Sequence, residues 1–142
     1  NELEHKRPTA MSETEYVSMI LTKVRRFSRA LKVHFWLVAH PTKMKRVEVK
    51  HQPTEGDESL TKSIYPVPTL YDISGSSHFF NKVDMGLVVW RDKSEPSNPS
   101  KVYVQKVKYR YYGSLGAMDL YFHFDSGRYY QTMSEVMRNE AY

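Results

Sequence analysis

The apolar positions of this chain follow two rhythms. Between residues 11 and 31 they recur at helical spacing, with Val17, Ile20, Leu21, Val24, Phe27 and Leu31 on one stripe. Ser12 stands where an N-cap belongs, and Glu15 where a capping-box partner would reach back to it. Glu13 and Glu15 face the positive end of the helix dipole, while Lys23, Arg25, Arg26 and Arg29 gather toward the other end. The pattern predicts an amphipathic helix over 11–31. At 33–39 the rhythm changes to VHFWLVA, a nearly unbroken run of strand formers. Such a run suits a central strand buried on both faces of a parallel sheet. His34 interrupts it and is expected as a packed edge histidine. Pro41 ends it, because proline cannot donate to a ladder.

Residues 42–69 are polar, first basic (Lys43 to Lys50) and then acidic (Glu55 to Glu58). A connection of that length without obvious structure points to a mobile or binding loop. Residues 75–83 suggest a short helix, 85–90 a second apolar strand, and 93–100 a surface loop rich in Pro and Ser. Strands are expected at 101–112 and 117–124, joined across 113–116. A turn at 125–127 leads into a strand at 128–130, followed by a polar tail with helical character. The order predicts an α/β chain whose sheet is mostly parallel, flanked by helices and finished by antiparallel strands at the C-terminal edge.

Composition narrows the function classes. At 142 residues the chain reads as one domain. It has no cysteine, which excludes a disulfide framework and a zinc ribbon. No stretch approaches the roughly 18–20 apolar residues that span a membrane, so no membrane partner is expected. The start at Asn1 reads as that of an excised or processed piece. A net charge of +5 makes nucleic acid the first partner to consider, although a modest cationic surplus also serves solubility.

Three stretches carry candidate chemistry. In Val38-Ala-His-Pro41 a polar residue closes a buried strand, the place where α/β sheets bind ligands, and an imidazole there can hydrogen-bond a phosphate. In Tyr71-Asp-Ile-Ser-Gly-Ser76 a Gly-Ser pair opens a helix and can offer backbone N–H groups to phosphate, with His78, Asn81 and Lys82 following. Ordinary capping by Asp72, Ser74 or Ser76 is the commoner use of such residues. In the third stretch a strand period of two puts Lys106, Lys108 and Arg110 on one face and Val107, Tyr109 and Tyr111 on the other. Three adjacent cations repel one another unless something anionic faces them. A solvated edge strand displaying lysines is the competing explanation.

Taken in series, these stretches resemble the hexameric replicative helicases, in particular the Twinkle-like helicases of organelles and the phage primase–helicases. Asn1-Glu-Leu-Glu-His5, Ser12-Glu-Thr-Glu-Tyr-Val17, Val38-Ala-His-Pro41 and Tyr71-Asp-Ile-Ser-Gly-Ser76 look like plastid and organellar members. The resemblance covers nearly the whole chain, least from Lys45 to Tyr65 and after Tyr130. It implies the C-terminal half of a RecA-like P-loop ATPase core over residues 1–142. It further implies ATP or another NTP with Mg²⁺ as cofactors, single-stranded DNA as partner, and a six-membered ring of identical subunits. Primase or polymerase domains in the same polypeptide fit the family. An organelle, whether plastid, apicoplast or mitochondrion, is the implied compartment, with bacterial or phage cytoplasm as the alternative.

On matching positions the resemblance makes His40 the phosphate sensor and Arg110 an arginine finger, with Lys108 as its companion cation. Lys43, Ser74, Gly75, Asn81 and Lys82 become DNA-facing. Many plastid-type members read Lys-Val-Arg where this chain has Lys106-Val107-Lys108, an alignment that would put the finger at 108; lysine there keeps the charge but not the bidentate fork. No G-x-x-x-x-G-K-[ST] phosphate loop occurs in the sequence, and the Mg²⁺-holding aspartate is expected upstream, with neither Glu2 nor Glu4 in its place. These 142 residues alone are therefore expected to bind no nucleotide and to hydrolyse none. Two other readings stay open: a stand-alone module that stacks nucleic acid on its tyrosines, and a RecA-like recombinase or regulatory ATPase without unwinding activity.

Overall fold

The computed structural model describes residues 7–50, 61–73 and 77–140. The first helix, α1 (Glu13–Leu31), is set at both ends by its own sequence. Glu15 N–H donates to Ser12 Oγ at 3.3 Å, and the Glu15 carboxylate accepts from Ser12 N–H at 3.0 Å, the reciprocal box expected. The bonds from Ser12 hold the Glu15 carboxyl below its ordinary range. At the C-terminal end Lys32 adopts a left-handed conformation with φ 54°, and Val33 N–H reaches back to Ser28 C=O at 3.1 Å.

The segment after the helix departs from expectation. Residues 33–39 join no strand ladder. Trp36 is 72% and Val38 86% exposed. His34 is not packed at an edge; it is exposed and leans on the Trp36 ring at 5.0 Å. The helix end takes Val33's backbone: its N–H serves Ser28 C=O, and its C=O accepts Ser28 Oγ at 2.6 Å. Beyond it no described strand lies alongside. A bridge from Pro41 to Ile73 and a bond from Thr42 N–H to Asp72 C=O at 2.7 Å fasten the end of the run.

The 42–69 connection carries a hairpin rather than being without structure: β1 (Val47–Lys50) pairs antiparallel with β2 (Thr61–Ile64). Residues 51–60 of the loop lie outside the described residues. A short helix, α2 (His78–Lys82), then leads into β3 (Met85–Arg91), β4 (Ser100–Val107), β5 (Gly116–His123) and β6 (Arg128–Tyr130). These four form one sheet in sequence order, every pair antiparallel. The expected mostly parallel sheet is thus corrected. The connections between these strands are shorter than the crossover of about a dozen residues that a parallel return needs, so each must turn back as a hairpin. A final helix, α3 (Met133–Glu140), covers the β5–β6 end.

Side-chain bonds tie the sheet to its surroundings. Lys101 and Asp119, directly opposite across β4 and β5, pair at 3.2 Å. The Gln105 amide donates to Pro68 C=O at 2.8 Å and accepts from Leu70 N–H at 3.0 Å, seating Leu70 against the sheet. Gly86 leaves room for it: a Cβ there would lie 2.2 Å from Leu70 Cδ1, so the Leu70 side chain would have to shift. The other sheet face stays open. Register puts Leu87 opposite Val104, Val89 opposite Val102, and Val102 opposite Met118, an aliphatic surface on which Val89 is 70% exposed. No large side chain among the described residues is wholly enclosed. Nor is any described helix long and apolar enough to cross a membrane.

Candidate functional site

The cations at the end of β4 do not share one fate. β4 stops at Val107, so Lys108 and Arg110 lie beyond the strand, and the three-cation face expected from period two is not formed. Lys106 reaches back across α2. Its ammonium donates to Phe80 C=O, lies 3.4 Å from Asn81 C=O, and sits 4.5 Å over the Phe80 ring. Burial and the nearby Lys108 charge push this ammonium below the ordinary lysine range. Lys106 thereby satisfies carbonyls at the end of α2 that the helix itself leaves open.

Lys108 is held twice by one residue. Its N–H donates to Asp84 C=O at 2.8 Å, and its ammonium meets Asp84 Oδ1 at 3.2 Å. Arg25, from α1, reaches the same carboxylate oxygen at 3.4 Å. Asp84, at the junction of α2 and β3, is therefore the shared anion of two cations, Lys108 and Arg25.

Past this anchor the chain makes a 3₁₀ turn, Arg110–Tyr112, and Arg110 stands on it exposed, with no hydrogen bond or ion pair among the described residues. Aromatic rings surround its place in the chain: Tyr109 and Tyr111 stack at 5.7 Å, and Tyr111 and Tyr112 lie 4.4 Å apart. Tyr111 is 76% exposed. Gly113 comes next with φ 147°, a conformation that side chains rarely adopt, and turns the chain toward β5.

The His40 stretch forms a second exposed group. His40 and Lys43 are both exposed, one on each side of Pro41-Thr42. Asp72 organises the neighbouring segment: its carboxylate accepts from Thr69 Oγ1 and from Thr69 N–H, each at 2.7 Å, and these bonds lower its pKa. Tyr71 stacks on Phe80 at 4.4 Å, linking this segment to α2. His40 and Arg110 are not in contact with each other.

The remaining candidates divide. Asn81 is exposed on α2. Lys82 turns toward α1, where its ammonium donates to Ser18 C=O, Ser18 Oγ and Thr22 Oγ1 at 2.6–2.7 Å. It docks α2 on α1 in this structure. Ser74 and Gly75 lie outside the described residues, as do Glu2 and Glu4. Among the described residues no three acidic, imidazole or thiol side chains converge, so the donor set for Mg²⁺ is not assembled here. Sequence reasoning missed Asp84 and Arg25. A signal was present for Asp84, which immediately precedes the strand that pairs with β4 and so falls opposite Lys108.

The site can be set beside known proteins. The Twinkle homolog protein, chloroplastic/mitochondrial, of Arabidopsis thaliana is 39% identical to this chain over 132 residues. The match takes in 91% of the chain, which spans 16% of that relative's length. No protein-family model and no solved structure matches. Over the span compared, the chain is similar to this Twinkle homolog.

Proposed function

We propose that this chain is part of an ATP-dependent replicative DNA helicase of an organelle, and that it supplies an arginine finger and DNA-facing loops to a ring of identical subunits. The observation that carries the reading is the contrast at the end of β4. Lys108 is fastened to Asp84, whereas Arg110, on the next turn, is exposed and without a partner among the described residues. A guanidinium held ready on an anchored turn suits bidentate contact with a γ-phosphate across a subunit boundary. Lys108 keeps the turn in place, which favours Arg110 over position 108 as the finger.

In this reading His40 hydrogen-bonds the terminal phosphate, and Lys43 and Asn81 meet single-stranded DNA. Ser74 and Gly75 would add backbone donors on the DNA side. The Lys82 ammonium is already committed to α1, so its part is to hold α2 in place. ATP with Mg²⁺ supplies the phosphoryl chemistry, and the described residues contribute positive charge and hydrogen bonds to the phosphates rather than ligands to the metal. The finer fold, half of a RecA-like core, is supported by the open aliphatic sheet face and the unpaired apolar run at 33–39, both of which need covering. Primase or polymerase domains of the same polypeptide remain compatible with this arrangement. The organelle assignment rests on the compartment in the relative's name.

Hydrolysis by the full-length protein that carries this chain tests the reading. Arg110→Ala should remove nearly all DNA-stimulated hydrolysis, and Arg110→Lys should restore little of it. Unchanged hydrolysis in Arg110→Ala would refute the finger.

A further inference from the structure

We infer that Asp84 is a positioning residue that fixes the turn bearing Arg110 and ties it mechanically to α1. The inference rests on Arg110 acting as the finger, and it names what holds that finger in place. Three bonds converge on Asp84. Its C=O accepts Lys108 N–H at 2.8 Å, and its Oδ1 meets Lys108 Nζ at 3.2 Å and Arg25 Nη2 at 3.4 Å. The Asp84 side chain is 48% exposed, those of Lys108 and Arg25 32% and 30%.

Exposed ion pairs of this kind add little to stability. Their geometric effect is another matter. The backbone bond fixes where the chain leaves β4, and the carboxylate fixes the direction of Lys108, two residues before Arg110. The Arg25 arm makes the same oxygen answer to the position of α1. Lys106 adds a second tie alongside, from β4 to the end of α2. The turn therefore cannot shift freely against α1, α2 or β3. Misplacing a reacting contact by about 1 Å can cost on the order of 100-fold in rate.

The test uses the full-length protein. Asp84→Ala should lower kcat for DNA-stimulated ATP hydrolysis about 10- to 100-fold while KM for ATP stays within about twofold, because the turn is loosened and the ground-state contacts to nucleotide are kept. Asp84→Glu should recover most of the rate. Combined with Arg110→Ala, the Asp84→Ala change should add no further loss, since both act through one group. Arg25→Gln removes only the α1 arm and should give a smaller loss. Tryptic cleavage after Arg110 supplies a readout apart from activity, and it should quicken severalfold in Asp84→Ala.

Several outcomes would overturn the inference: an unchanged cleavage rate, losses that multiply in the double variant, or a normal kcat in Asp84→Ala while Arg110→Ala is inactive. If Arg110→Ala itself hydrolyses normally, the finger reading fails and no finger remains to be positioned. The cleavage rate then still reports whether Asp84 holds the turn.

Discussion

Lys82 and Arg110 look alike in the sequence, each a cation beside an aromatic segment near a turn, yet the structure treats them oppositely. The Lys82 ammonium has three acceptors on α1 and spans two helices. Arg110 has none among the described residues and projects from a short turn. A cation that already has its partners is an architectural element; one held without partners is available to an anion from outside. The contrast shows that a count of positive charges says little about an anion-binding surface until each charge's existing partners are known.

The largest expected effect bears on the free member of this comparison. Arg110→Ala should reduce DNA-stimulated hydrolysis by the full-length protein by about 10³-fold or more, as measured by steady-state phosphate release. The tethered member should respond in stability instead. Lys82→Met removes charge-assisted bonds and should destabilise the fold by about 2 kcal/mol in denaturant unfolding. It should leave the salt dependence of single-stranded DNA binding unchanged. If Lys82→Met instead flattens that salt dependence, the division between tethered and free cations is wrong.

Lys43 sharpens the same line. It is exposed beside His40, and Lys43→Ala should reduce the slope of log K against log salt by about 0.7 for single-stranded DNA, with no change in stability. The smallest effect lies at the start of α1. Glu15 has its folded pKa below the ordinary 4.5. Its contribution is therefore complete above that value and fades as pH falls through the folded pKa. An acid titration followed by amide exchange in the first turn of α1 should show this fading, and Glu15→Gln should abolish its pH dependence.

How far the sequence was legible depended on whether the deciding partner was near in the chain. The α1 cap could be read because Ser12 and Glu15 are three residues apart and complete each other. The hairpin of β4 and β5, the β6 strand and the C-terminal helix were legible for the same reason: turn signals and alternation are local. The run at 33–39 misleads because strand propensity describes a surface that suits a ladder, whereas a ladder needs a neighbour. Here the helix end takes Val33's backbone groups and no described strand lies beside the rest. The β1–β2 hairpin escaped notice because the alternation of Val47-Glu48-Val49-Lys50 is only four residues long and sits in an otherwise polar, charged stretch.

The candidate site obeys the same rule. Its ingredients (His40, Lys43, Asn81, Lys108 and Arg110) were visible as residue types in ordered motifs. Which cation would be free was not visible. That was decided by Asp84, remote from Lys108 in sequence and opposite it in space, and by α1, whose Ser18 and Thr22 receive Lys82. The chain by itself determined the helix, its caps, the hairpins and the order of the motifs, since each depends on neighbours a few bonds away. Only the tertiary structure decided the partner of each charge, because hydrogen bonds and ion pairs between distant residues exist only once folding brings them within about 3 Å of each other.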